Sequence, residues 1–248
     1  MLETKAKTSK TQQQDKMIDF VQLSQDFLYQ VKTNTDYEHS IQMLSEINPD
    51  ELATRLKTDQ QKTAFWINLY NAYFQIEAKH NKDLFENRKI AFFNNKGMRI
   101  AGHDLSLNTI EHGILRGGQW MYGFGYIKDL FPSAFEKTHQ VEQMDYRLHF
   151  ALNCGAISCP PIAFYSVEEL ESELELAELN FMMNESIWDE KNNSVSVSKI
   201  LWFYRGDFGG KKGIIQLFKN HQIIPKDAQP KIQFKAYNWA VELDNYFH

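Results

Sequence analysis

The chain has 248 residues, is 43% hydrophobic and 14% aromatic, and carries a formal net charge of −5. This length supports one large domain with a substantial core, and this composition excludes a disordered chain. The acidic balance, with Lys and Arg scattered rather than gathered in a stripe, argues against nucleic acid as a partner, because phosphate binding needs a concentrated basic surface. No apolar run reaches membrane-spanning length.

In chain order, residues 1–16 are polar and rich in Gln, Lys and Thr, and read as a flexible tail before a single domain over 17–248. The start, Met1-Leu2-Glu3-Thr4-Lys5, lacks the apolar core of an export signal. Location therefore stays open between the cytoplasm and export with a leader removed. Ile18, Val21, Leu23, Phe27, Leu28 and Val31 make 17–33 an amphipathic helix. Asn48-Pro49-Asp50 is a helix start, with Asn48 as cap. Residues 60–80 form a long helix with Phe65, Leu69, Ala72 and Ile76 on one side. Residues 89–93 and 98–101 read as a hairpin around Asn94-Asn95-Lys96-Gly97. A short helix follows over 107–116, capped by Ser106 or Asn108 and stopped by Gly117-Gly118.

Alternation makes 147–153 a strand, with Arg147, His149, Ala151 and Asn153 on one face and Leu148, Phe150 and Leu152 on the other. Such a strand resembles the floor of a site, and Cys154-Gly155 ends it in a turn. Ser166 and Glu169 open a helix over 166–183 in capping-box spacing. Val195-Ser196-Val197-Ser198 reads as a strand, and 211–220 and 234–246 as weaker helices. The class is α+β: a helix-dominated single domain with a small, mainly antiparallel sheet.

Five residue groups carry chemistry or its alternatives. Asn68 and Asn71 share a face of the 60–80 helix. Two amides among aromatics either tie neighbouring backbone in place, the favoured reading, or orient a histidine. Glu111-His112 lies mid-helix with Arg116 four residues on. Adjacent α-helical residues do not face one another, so Glu111 and His112 are not expected to reach one small site together. Cys154 and Cys159 are five apart, which is not a zinc-knuckle or redox-pair spacing. Pro160-Pro161 stiffens the chain after Cys159, and the two cysteines are expected to be unbonded. Cys154, beside a glycine and turn N–H groups, is expected to be the more reactive thiol. His149 is an unpromising base for Cys154, because extended chain places their Cα atoms about 16 Å apart. Arg205 and Asp207 are expected to pair near a site rim, the Arg-Gly-Asp spelling being a chance tripeptide.

Four segments together carry a resemblance: Ala64-Phe65-Trp66-Ile67-Asn68-Leu69-Tyr70-Asn71-Ala72, Ile110-Glu111-His112-Gly113-Ile114-Leu115-Arg116, the run 147–161, and Ser198 to Gly209. In this order, over roughly residues 60–245, the chain resembles the DUF547 family, a domain of unknown function found in bacteria and plants. The family usually shows Asp-Pro-Arg where this chain has Asp145-Tyr146-Arg147. The resemblance implies a fold and a site region rather than a reaction. Plant relatives carry the domain behind a coiled-coil-like region, which fits an interaction role, and bacterial relatives include exported ones.

Three functions fit these residues. The first is a thiol-dependent hydrolase or acyl transferase. Cys154 is the nucleophile, His112 the base, Asn68 or Glu111 the group orienting the imidazole, and N–H groups near Gly155 the oxyanion donors. The alternative is a non-catalytic module whose polar pocket, built from Asn71, Arg116, Arg147, His149, Asn153 and Arg205, takes a small anionic or peptide ligand. A metal site on His112, His149 and Cys154 ranks last. No metal or other cofactor is expected. The motifs at 64–72, 110–116 and 147–161 are expected to converge on one concave site.

Overall fold

The computed structural model describes residues 18–247; the polar tail expected over 1–16 lies outside them. Asp19 caps α1 (Phe20–Thr33) by accepting from the N–H groups of Val21 and Gln22. After α2 (Glu38–Glu46), Asn48 caps α3 (Pro49–Arg55) as its sequence requires, with Pro49 in the first turn. α4 (Asp59–His80) opens on a capping box between Thr58 and Gln61. Its residues from Thr63 to Ile76 are all buried. The helix is therefore central, wrapped on every side, rather than amphipathic with one covered face. Phe65, Trp66, Leu69 and Phe74 lie at its heart with no exposed surface.

The long buried helix presents two amides to irregular backbone. Asn68 donates through Nδ2 to the Tyr165 carbonyl (2.8 Å) and accepts at Oδ1 from the Tyr165 N–H (3.0 Å). Asn71 does the same one turn on, donating to the Ala151 carbonyl and accepting from the Asn153 N–H, both at 3.0 Å. Each amide thus imitates a strand pairing where the backbone has no strand to pair with.

The short α5 (Lys82–Asn87) and α6 (Lys89–Phe93) follow. The expected strand over 89–93 is therefore helical. The hairpin exists one step later, between β1 (Met98–Ile100) and β2 (His103–Leu105), turning at Ala101-Gly102, both with positive φ. Alternation in so short a run did not distinguish the two periods. Residues Thr109–Leu115 are π-helical, stopped by Gly117 and Gly118 in the left-handed region. α7 (Ala134–His139) carries a capping box from Ser133 and Glu136.

The segment expected as a strand at 147–153 is instead a 3-10 helix over Tyr146–Phe150. Asp145 caps it by accepting from the Arg147 N–H. A 3-10 turn eclipses residues three apart, so Arg147 and His149 diverge. Arg147 turns outward to Asp145 and Glu171, while His149 is buried. α8 (Leu170–Glu185) begins later than its Ser166 signal, although Ser166 Oγ does accept from the Glu169 N–H.

A mixed three-stranded sheet runs β3 (Ile187–Asp189), β4 (Ser194–Val197), β5 (Lys231–Phe234), with β3–β4 antiparallel and β4–β5 parallel. Between β4 and β5 lie α9 (Ile200–Phe203) and α10 (Gly210–Asn220). This half has its own apolar cluster, built on Phe150, Val195, Leu201, Phe208 and Phe218. The expected helix at 234–246 is absent. That segment lies across the loop before α8, giving main-chain bridges at Ala156–Val241 and Ile162–Tyr246. The architecture is helix-dominated α+β with small sheets.

Asn71→Ala leaves the Ala151 carbonyl and the Asn153 N–H unpaired in a buried setting. Urea unfolding should show a loss of about 1–3 kcal/mol for each group left bare. A change near zero would mean that the amide does not pin this loop.

Candidate functional site

The π-helical stretch sets the geometry of the site. Its wider turn, closed by i→i+5 bonds, brings Glu111 and His112 to the same cavity, where an α-helix would have separated them. The cavity holds about 600 Å³ and is walled by aromatic rings, among them Phe93, Tyr122, Trp202, Phe203, Tyr237 and Trp239. Its polar lining includes Tyr70, Glu111, His112, His149, Tyr204, Cys154 and Cys159. Residues from the segments 64–72, 110–116 and 147–161 thus face one concavity.

Glu111 is held by two phenols. Tyr204 donates to Oε1 at 2.7 Å and Tyr70 to Oε2 at 3.1 Å. Burial opposes its ionisation, but His112, the Tyr204 hydroxyl and Arg116 together hold its pKa below the ordinary carboxylate value. Burial, then the Glu111 charge, raises both tyrosines well above their ordinary value, so the phenols remain donors.

Behind the cavity floor runs a chain of four side chains: His112, Arg116, Asp207, His149. Arg116 Nη1 lies 2.9 Å from His112 Nδ1, and Arg116 Nε donates to Asp207 Oδ2 at 2.7 Å. His149 Nε2 lies 2.8 Å from the same oxygen. The side chains of Arg116 and Asp207 have no exposed surface. A guanidinium can only donate, so His112 Nδ1 accepts and the neutral ring carries its proton on Nε2. Asp207 is pulled below its ordinary pKa: burial works against this, and His149 and Arg116 overcome it. A carboxylate only accepts, so His149 donates from Nε2 and the neutral ring keeps Nδ1 as an acceptor. The ion pair thus gives the two histidines opposite roles, one a donor and one an acceptor.

Burial is the first cause that lowers both histidines. His112 is pushed down to about 4, and His149 is lowered below 6.5 although Asp207 works the other way. His149 also stacks on Tyr204, with ring centroids 3.9 Å apart. Two atoms of the ion pair, Arg116 Nη2 and Asp207 Oδ1, are buried without a hydrogen-bond partner.

The cysteines correct an expectation. Cys154 and Cys159 are joined by a disulfide, with Cα atoms 6.0 Å apart, inside the range such a bond requires. Pro160-Pro161 lies outside the closed loop and does not oppose closure. Inside it, Gly155 takes a positive φ of 69° and Asn153 gathers the turn, accepting from the Gly155 N–H and donating to the Pro160 carbonyl. The expected reactive thiol at Cys154 is therefore absent in this state. Among the described residues, the Tyr237 hydroxyl, at 3.2 and 3.1 Å, and the Cys154 N–H are the hydrogen-bond partners of the two sulfurs; neither histidine reaches them.

The remaining residues sort by position. Asn68, Asn71 and Asn153 tie backbone and make no bond to His112 or Glu111. Arg147 binds Asp145 and Glu171 away from the cavity. Arg205 does not pair with Asp207; it lies over the Phe124 and Trp202 rings. Asp207, expected at the rim, is part of the floor, as are Tyr204 and Tyr70, which have no role in the sequence reading. The buried partner of Arg116 was the signal, and spacing could not show it across 91 residues. Among the described residues no group of three or more His, Cys, Asp or Glu side chains is placed to hold a metal ion, and no helix is long and apolar enough to cross a membrane.

Two outcomes follow. Alkylation of the unreduced, denatured protein should label neither cysteine, and prior reduction should expose both; labelling without reduction would contradict the disulfide. His112 and His139 are both pushed down to about 4, chiefly by burial. Their unfolded forms take up protons near 6.5, so the unfolded state binds more protons between those values. The stability these two histidines contribute is then full above 6.5, falls toward pH 4 and levels off below it. Thermal unfolding from pH 7 to pH 4 should show this decline, and His139→Gln should make it shallower; a decline of unchanged steepness would remove His139 from the account.

A model of the DUF547 family, described as a protein of unknown function, matches residues 53–182, just over half of the chain. No curated protein and no solved structure matches it. Glu111, His112, Arg116 and His149 lie within the matched residues, whereas Tyr204, Asp207 and Tyr237 lie beyond them. The π-helical stretch and the disulfide loop therefore fall within the matched residues, and the chain belongs to the DUF547 family.

Proposed function

We propose that the cavity is the active site of a hydrolase or acyl transferase that works by general acid–base chemistry, with His149 as base and His112 as donor to the developing oxyanion. The observation that carries this reading is the His112–Arg116–Asp207–His149 chain, which leaves an acceptor on one ring and a donor on the other. Environments that give two titratable groups opposite roles are what acid–base chemistry at neutral pH requires.

A water adds through oxygen to the carbonyl carbon of an ester, thioester or amide, and its proton passes to His149 Nδ1. The carbonyl oxygen, now negative, accepts from His112 Nε2. Collapse expels the leaving group, which takes the proton back from His149, and the acid departs. Transfer to an alcohol in place of water gives the acyl-transferase form. Asp207 and Arg116 are positioning residues. Lowered by burial, His149 stays in its basic form at neutral pH.

The aromatic walls favour an acyl group with apolar surface, and the same walls support the second reading, a binding pocket without chemistry. In the thiol-dependent version Cys154 would be the nucleophile. That version requires the disulfide to be reduced and a base to reach the sulfur.

p-Nitrophenyl butyrate serves as the probe. Turnover is expected with the disulfide intact, and His149→Ala should lower kcat/KM by about 10²–10⁴-fold. The acid limb of the pH profile should fall below 6.5, the ordinary histidine value. Activity that appears only after reduction and vanishes in Cys154→Ser would replace this reading with the thiol enzyme. Absence of turnover in either redox state, with the probe binding unchanged in His149→Ala, would leave the binding pocket.

A further inference from the structure

The segment between the π-helical stretch and α7 exposes an unusual amount of apolar surface. Leu130 and Phe131 are 80% and 88% exposed, and Trp120, Tyr122, Tyr126 and Ile127 are each about half exposed or more. Scattered exposed apolar residues need no explanation, but a contiguous stretch of this kind does.

This stretch is continuous with the cavity mouth. Met121, Tyr122 and Phe124 line the cavity, and so do Ile90 and Trp239, which are themselves exposed. The segment is seated on the 202–210 region: the Gly206 N–H donates to the Phe124 carbonyl, and the Phe124 ring packs edge-on against Trp202. A ligand arriving from water gains nothing from an apolar rim. One that arrives from a lipid surface does.

Cations gather at the same rim, while Asp129 is the one acid of the segment itself. Lys89 lies over the Trp239 ring, Lys199 over Trp202 and Phe203, and Arg205 over Phe124. A side chain at Gly210 would stand 3.2 Å from the Tyr126 hydroxyl, which places the exposed Lys211 and Lys212 next to the segment. Glu111, at the floor, is the only carboxylate among the described residues lining the cavity. Trp and Tyr beside a protruding Leu-Phe tip, flanked by lysines, match the layered chemistry of a bilayer interface, where rings sit at headgroup level and cations meet anionic phosphates.

We propose that residues 119–131, with the cationic rim of Lys199, Lys211 and Lys212, dock the protein on an anionic lipid surface, so that the cavity opens onto the membrane. The proposal stands apart from the catalytic reading, since docking requires neither histidine.

The test is co-sedimentation of the full chain with vesicles of phosphatidylcholine alone or of equal parts phosphatidylcholine and phosphatidylglycerol. Partition into the anionic vesicles is expected, weakened by high salt. The double substitution Leu130→Ser/Phe131→Ser should reduce it at least about tenfold, with an unchanged circular dichroism spectrum, because both positions are solvent-exposed. Lys211→Glu/Lys212→Glu should reduce it as well. Equal partition into both vesicle types would overturn the anionic part of the proposal, and no partition into either would overturn all of it. Self-association abolished by the double substitution, without vesicle binding, would assign the face to a second copy of the chain.

Discussion

The buried ion pair between Arg116 and Asp207 is the constraint on which the rest of the site depends. Removing two charges from water is costly, and a buried pair is a weak source of stability. Its effect here is on specificity of arrangement. It joins the π-helical stretch to the turn before α10, across 91 residues, in a position with no exposed surface. Because a guanidinium can only donate and a carboxylate can only accept, the pair also sets where the protons of His112 and His149 lie. Replacing Arg116 would release His112, replacing Asp207 would release His149, and either change would leave the other charge buried and unpaired.

Around this pair the backbone is held by side-chain amides rather than by a sheet. Asn68 and Asn71 on α4 and Asn153 just before the disulfide loop each meet both a donor and an acceptor of the main chain. Irregular chain can lie against the central helix because these groups satisfy it. The result is a loop bearing Cys154 and Cys159 in the cavity wall, beside the Tyr237 hydroxyl. The C-terminal segment completes that wall: Tyr237 and Trp239 line it, and main-chain bonds near Gly155 and Ile162 fasten it to the loop. The site thus combines a floor that the family-matched residues share with Tyr204 and Asp207 beyond them, and walls that come largely from beyond them.

The cavity joins two chemistries. Its floor is polar and electrostatically fixed, whereas its walls and rim are aromatic. A floor of this kind suits proton transfer at a defined place, and walls of this kind suit an apolar group that arrives there. The exposed segment above the mouth extends the apolar wall to the surface, and the lysines around it carry charge opposite to that of the floor.

Local signals in the sequence determined much of the scaffold. The Asn48-Pro49 start, the long helix through 60–80, the Gly117-Gly118 stop and the Ser194–Val197 strand follow from caps, periodicity and turn chemistry, all of which act over a few residues. The gathering of His112 and Cys154 at one concavity was legible only as a set of polar residues on apolar elements. Tertiary structure decided the rest. Alternation at 147–153 reads as a strand, but the run has no partner strand, and the Asp145 cap and the Asn71 amide hold it as a 3-10 turn. The π-helical stretch, which turns Glu111 and His112 to one side, has no local signature. The disulfide depended on a turn inside the loop that prolines outside it did not influence. Asp207 read as a rim residue paired with Arg205 because its partners, Arg116 and His149, are 91 and 58 residues away, and no short-range pattern reports a pairing made at that distance.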